Sequence, residues 1–330
     1  MSTQALVPMP AMAPIVRRVR AYFAPVVRAS NTPASFDAAV AAGFNLDAPP
    51  QPWLDLGWVE GFTRSSQSVF AGVHSGAPAA ARSQVRQTLE ATVALRFKNW
   101  GKLQLALCAG SEHLNVLAKN AGAIVAPVPV AAVGSSASFV ALGTGQTAGF
   151  AAGQIVVVDV DYAGQSGYVG SGSAGAYVQQ ASLVANDANY VRRISLNVGR
   201  VTAVTANGLQ LAQPLLAGIP VTGMQVQPVC GFVDREGGNF FQEWSALFVM
   251  AGEQGERVFF YYPRLQTMTG ASEAVEAMNT SAGNAGNAGN SLSSLALQGK
   301  FRAIPVTDAT DGQQVLCYRT FMPAATTLLS

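Results

Sequence analysis

The chain has 330 residues, of which 49% are hydrophobic and only 12% charged, with a formal net charge of +2. That length can bury a sizeable core in one large domain or two. A near-neutral total removes the bulk electrostatic case for nucleic-acid binding, and so sparse a surface charge suits a protein covered mostly by copies of itself.

The charge is unevenly placed. Residues 1–120 carry 11 basic and 6 acidic groups, residues 121–231 carry 3 of each, and residues 232–330 carry 6 and 9. The opposed ends complement one another either within a subunit or between subunits. Cys108, Cys230 and Cys317 lack metal-ligand spacing, and their odd number argues against a secreted disulfide framework. Each is expected as a small buried hydrophobe in a reducing compartment. Prolines interrupt the apolar residues near Arg17, Arg18 and Arg20, so no signal peptide is expected. The longest apolar run, 121–134, contains Pro127 and Pro129 and is too short to span a bilayer. A soluble protein with no membrane partner is expected.

In chain order, residues 1–50 read as an N-terminal arm. Within it, 15–27 forms a strand or short helix, and 36–42 a short helix ending at Gly43. Four positions around Pro49, Pro50 and Pro52 lead into a first core strand, 53–60. Residues 63–88 are rich in Ser, Gln, Gly and Ala and are too long for a hairpin turn. They read as a loop that orders on a neighbouring subunit, with Arg64, Phe70, Val73, His74, Arg82 and Arg86 as its contact residues. In 89–97, Val93, Leu95 and Phe97 alternate with Thr92, Ala94 and Arg96, the period of a half-buried strand. Trp100, Leu103 and Leu107 then recur at helical spacing.

The composition shifts near Val125. From there to residue 229, short β-runs broken by glycine predict an inserted small antiparallel β-barrel domain. Its strands include 154–161 and 190–196, and a hairpin over 200–211 turns at Asn207-Gly208, a pair that type I′ turns prefer. Residues 128–130 and 226–229 are its extended entry and exit. The core resumes over 230–330, with an aromatic strand at 256–264, a Gly/Asn-rich loop at 282–290, and final strands at 294–304 and 313–321. The core therefore occupies 51–124 and 230–330, in a mainly β (α+β) fold.

Candidate chemistry is sparse. Gly170, Gly172 and Gly175 match G-x-G-x-x-G, but no strand feeds them directly and no acidic strand end follows at the required distance. A flexible barrel loop is expected there, and no cofactor. His74 and His113 sit at no metal-ligand spacing, and no nucleophile elbow supports a catalytic triad. Asp159 and Asp161 share a strand face, yet Val and Tyr neighbours supply none of the further oxygens Ca²⁺ needs, so both read as solvated strand-end carboxylates. Phe240, Phe241, Trp244, Phe248, Phe259, Phe260, Tyr261 and Tyr262 have acidic rather than basic neighbours, which favours core and interface over a nucleic-acid stacking platform. No catalytic residue, metal or cofactor is expected.

The order of these segments resembles the major tail tube proteins of tailed bacteriophages. The likeness is carried by Trp53, Asp55, Leu56, Gly57, Trp58 and Val59, then by Glu90, Val93, Leu95 and Phe97 with the helical run ending in Gly110 and Ser111. It continues in 257–263, 295–305 and 315–319. The resemblance implies a β-sandwich with a small flanking helix, assembled as hexameric rings. These stack into a tube whose inner β-barrel is shared by six chains. It further implies contacts with other tail proteins, genomic DNA passing through the lumen without specific binding, and a place in the virion tail after assembly in the host cytoplasm. An acidic lumen would draw on Glu236, Glu243, Glu253, Glu256, Glu273 or Glu276. The rival readings are another tail component, such as a terminator or decoration protein, or a carbohydrate-binding adhesive β-protein.

Overall fold

A computed structural model describes residues 16–26, 30–37, 44–97, 99–110, 112–159, 166–169, 174–177, 197–235, 243–252, 255–268, 272–277 and 293–322. The fold is mainly β, with one short helix among the described residues. The chain opens with β1 (Val16–Pro25), β2 (Leu54–Ser75) and β3 (Ala80–Phe97), followed by α1 (Lys102–Ala109). Next come β4 (Glu112–Leu117), β5 (Lys119–Asn120), β6 (Ala123–Ile124), β7 (Val128–Pro129) and β8 (Phe139–Ala141). Then follow β9 (Ile155–Asp159), β10 (Ser166–Val169), β11 (Ala174–Tyr177), β12 (Val198–Thr205), β13 (Gly208–Leu211) and β14 (Gln225–Arg235). The chain continues through β15 (Trp244–Gly252), β16 (Arg257–Thr267), β17 (Ser272–Ala277) and β18 (Ser293–Ala303). It finishes with β19 (Val306–Thr307), β20 (Gln314–Val315) and β21 (Tyr318–Met322).

Two large antiparallel sheets result. The first runs β17-β18-β3-β2-β1-β15-β16-β21, and a further pairing of β16 with β18 closes six of its strands into a circuit. Inside that circuit lie Phe23, Phe97, Trp244, Phe248, Tyr262 and Phe301, all nearly or fully buried. Phe248 meets Phe23 edge-on at 5.8 Å and Phe62 at 4.8 Å, the tilted geometries that aromatic quadrupoles favour. A second aromatic layer on the other side of β1, β15 and β16 joins Tyr22, Phe44, Trp53 and Phe259. The alternation in β3 is as expected, with Val93, Leu95 and Phe97 buried. Helix α1 starts two residues later than its apolar spacing suggests. It stops at Gly110, whose φ of +61° suits glycine at the position after a helix, and it adds Leu107 and Cys108 to the first core.

The second sheet runs β10-β11-β4-β14-β9-β12-β13-β8, with β7 beside β14. The expected entry and exit of the insert thus pair with each other, Val128 opposite Val226. The sheet also takes in β4 and the far end of β14, which flank residues 125–229. Its own core is aliphatic, built on Val140, Val156, Val158, Val201, Leu209 and Val226. Leu117, Val157 and Val229 turn instead into the first core and join the two sheets. At the same junction Lys102 Nζ donates to Asn115 Oδ1 and lies 6.0 Å from the centre of the Phe232 ring. Burial lowers its pKa to about 7.

Several expectations need correction. Residues 63–88 are not a loop: all but the turn at 76–79 belong to β2 and β3. Phe36 and Asp37 are not helical, and the rest of the expected 36–42 helix lies outside the described residues, as do strand 190–196 and the loop 282–290. The hairpin of β12 and β13 turns at Ala206-Asn207, because Thr205 pairs with Gly208. Glycine at 208 serves a close approach instead, since a Cβ there would come within 2.2 Å of Val140 O. Asp159 is fully buried in β9, between β14 and β12, and is not a solvated strand end. Asp161 lies outside the described residues. Cys108 is buried as expected, but Cys230 is exposed and Cys317 only half-buried.

Candidate functional site: an exposed β-ribbon

Beyond the point where β2 and β3 leave the first sheet, they continue as a two-stranded ribbon. The last β3 residue paired with β18 is Thr92, opposite Ser65, and beyond it pairing holds from Ser66 opposite Ala91 out to Ser75 opposite Ala80. At about 3.3 Å per residue the ribbon projects roughly 30 Å. The β-branched and aromatic residues Val69, Phe70, Val73 and Val85 supply local strand preference, but nearly every side chain from Ser65 to Thr88 is exposed or only half-buried. A lone hairpin in water is at best marginally stable. This one is held at its root by the sheet and is bare along its length.

Register decides which side chains share a face. Two irregularities, between Val69 and Phe70 and between Val73 and His74, shift the pairing. Between them Ala71 opposes Val85 and Val73 opposes Ser83. Strand alternation therefore puts Val69, Ala71, Val73 and Val85 on one uncharged face. The larger of these are 45–54% exposed. The opposite face carries Phe70 with Arg86, whose guanidinium lies 5.6 Å from the ring centre. Near the tip His74 Nδ1 lies 3.2 Å from Gly72 O, and Arg82 Nε donates to Ser75 Oγ at 3.2 Å.

Of the six residues expected to make contacts, Phe70, Val73, His74, Arg82 and Arg86 lie along the outer ribbon. Arg64 sits at its root, with its Nε buried and without a hydrogen-bond acceptor. It faces the Tyr262 phenol and the Cys317 thiol. Burial raises the pKa of both, and the nearby guanidinium of Arg64 opposes the rise. Sequence reasoning missed Val69 and Val85: the alternation of Val69, Ala71 and Val73 in β2 was the signal for the first, whereas in β3 the extra residues Arg82 and Gln87 interrupt the period on either side of Val85.

A cavity of about 660 Å³ opens between β16, β21, residues 31–36 and the segment 305–309 that follows β18. Tyr261 and Tyr318 stack in it, 5.8 Å apart with planes at 19°. Their hydroxyls are engaged with Ala34 O at 2.5 Å and Asp308 Oδ2 at 2.6 Å. Arg264 is held by both carboxylate oxygens of Glu243, at 2.6 and 2.9 Å. That pairing buries Glu243 and removes it from the acids that could line a lumen. Glu236 and Glu253 lie outside the described residues.

No three His, Cys, Asp or Glu among the described residues cluster as a metal site would require. No helix among them is long and apolar enough to cross a membrane. Of the glycine motif at 170–175, residues 170–173 lie outside the described residues and the last two begin β11. His113 falls in β4 opposite Asp234. No known family model matches the chain, and no curated protein matches it.

Proposed function

We propose that the chain is a self-assembling structural subunit of a bacteriophage tail tube, forming hexameric rings that stack into a hollow cylinder for DNA. The observation that carries this reading is the ribbon. It displays Val69, Val73 and Val85 on one face and Phe70 on the other, and no part of the described chain covers them. Exposed apolar side chains on a projecting ribbon call for a partner surface, and a neighbouring ring supplies one. The first sheet adds two candidate ring contacts. Among the described residues β17 pairs only with β18, and β21 only with β16, so each leaves an edge that a neighbour's strand could extend. In this reading the closed first sheet is the tube-forming unit, and the second sheet is an inserted barrel decorating the outside. No catalytic role is part of it.

The register supplies a clean test. Replacing residues 69–88 by Asn-Gly joins Ser68 to Leu89, which already oppose each other, and leaves the sheet intact. Negative-stain electron microscopy of the purified intact chain should show rings or tubes at high concentration, and the trimmed chain should show no tubes. Normal tubes from the trimmed chain would remove the role given to the ribbon. An intact chain that stays monomeric at every concentration and binds a glycan would favour the adhesive reading.

A further inference from the structure

Two features at different places in the fold have complementary chemistry. The first is on the outer ribbon, where Phe70 is 50% exposed and Arg86 lies directly opposite it with the guanidinium over the ring. Strand alternation gives that face only small or polar companions, Ser68, Gly72, His74 and Gln84. The ring and the guanidinium therefore stand out as one unit. From residue 61 to residue 89 the sequence has no Asp or Glu.

The second feature is the cavity beside β16 and β21. Its volume of about 660 Å³ falls in the range of sites that enclose ligand-sized groups. Its walls include the stacked rings of Tyr261 and Tyr318 and the rings of Pro33, Pro263 and Pro305. Both tyrosine hydroxyls are engaged within the chain, so the aromatic faces are what the cavity offers. Tyr318 stays 36% exposed although Tyr261 covers one of its faces. At the edge, Asp308 accepts from the Tyr318 hydroxyl at 2.6 Å and from Thr310 N at 2.8 Å. These bonds hold its carboxyl below the usual carboxylate range, so it is ionised at neutral pH. Asp311 is exposed nearby. Of the two cations in the lining, Arg264 is already held by Glu243. Arg319 alternates to the face of β21 opposite Tyr318.

We propose that this cavity is the socket for the ribbon of a second copy of the chain, with Phe70 against the Tyr318 ring and Arg86 on Asp308. This names the partner surface that the tube reading leaves open, and it rests on that reading. Phe70 is not among the residues that line its own chain's cavity, so the occupant comes from another copy. Ring on ring adds to the gain from burial, and a guanidinium on a carboxylate is among the stronger hydrogen-bonded pairs. A nucleic acid would instead meet two carboxylates at the edge. An aromatic ring with an arginine is the kind of anchor that dominates an interface, while surrounding contacts mainly exclude water. The rest of the ribbon is available for those contacts. Ribbon and socket are different surfaces, so the contact runs head to tail and repeats from copy to copy.

The test separates the two halves of the contact. The ribbon-trimmed chain keeps the socket, and Asp308→Arg in the intact chain keeps the ribbon but spoils the socket. In sedimentation velocity neither should grow end to end alone, and mixed they should form a complex of two units that grows no further. Adding Phe70→Ser to the ribbon-bearing partner should weaken that complex at least tenfold, with its circular dichroism spectrum unchanged. Asp308→Asn keeps the shape and drops the charge, and should weaken association of the intact chain less than Asp308→Arg does. Arg86→Asp alone should weaken it too, and Arg86→Asp with Asp308→Arg in one chain should restore it. Raising NaCl from 0.05 to 0.5 M should weaken the unaltered contact. A mixture that forms nothing beyond its separate parts overturns the proposal, as does a charge swap that restores nothing. A mixed complex from a chain that never builds tubes would keep the contact and remove the tube reading. Normal tubes from Asp308→Arg would remove the socket alone. Glycan binding that Tyr318→Ala abolishes, with association intact, would give the cavity to a sugar instead.

Discussion

The two sheets solve the same problem, filling an antiparallel core, with different materials. The first is filled by Phe23, Phe97, Phe248, Tyr262 and Phe301. Charged pairs tie its strands and the segments beside them, Arg20 to Asp47 and Asp55, and Arg264 to Glu243. The second is filled by Val and Leu, with Met224 and Phe150, and much of it lacks charge altogether. Aromatic rings and bidentate pairs accept few geometries, so the first sheet is specified by its side chains. The second is specified by close backbone approach, of which Gly208 against Val140 is the clearest instance.

That contrast can be broken most strongly at Phe248. Phe248→Ala deletes a ring packed on Phe23, Phe62 and Tyr262 and should cost about 3–5 kcal/mol in urea unfolding. Leu117, Val157 and Val229 bind the second sheet into the same core, so both sheets should unfold in one transition. Two separate transitions would show that the sheets are independent. Gly208→Ala should cost less, about 1–3 kcal/mol, because the new Cβ forces β13 away from β8. A neutral result there would mean that the second sheet yields where the first does not.

The smallest effect is expected at the junction. Lys102 has its pKa lowered from 10.5 to about 7 by burial. Between those values the unfolded chain binds more protons at this site than the folded one, so stability should rise as pH rises from 7 toward 10. The slope approaches about 1.4 kcal/mol per pH unit at most, and other groups dilute it to about 1. Lys102→Met removes the proton and should flatten that slope in urea titrations at pH 7, 8 and 9. An unchanged slope would assign it to another group.

Much of the first sheet could be read in advance. Val93, Leu95 and Phe97 declare their face by alternation, and the aromatic run of β16 declares its burial. The ribbon could not be read this way. Both of its faces meet water, so no burial pattern selects one, and its two pairing irregularities break the period of two in β3. Small residues such as Ser65, Ser66, Ala71 and Gly72 look like loop because strand preference largely measures packing against a neighbour, and no other described strand packs on the outer ribbon. Asp159 was misread for a related reason. A carboxylate near a strand end reads as solvated, but β9 lies between two other strands, a placement that only the topology reveals. The Asn-Gly pair correctly marked a hairpin, yet its glycine faces a neighbouring strand instead of filling the turn.

The closure of the first sheet also sets an order on synthesis. β1 pairs with β15, more than two hundred residues downstream, and β3 waits for β18. Strands β4 to β14 lie entirely between those partners. As the chain leaves the ribosome, the second sheet has all its strands while the first still lacks β15, β16 and β18. The N-terminal strand and the ribbon are therefore the first parts made and among the last to be fixed in place. A nascent chain truncated after residue 240 should leave β1 to β3 open to proteases, and they should become protected only once β15, β16 and β18 have been made.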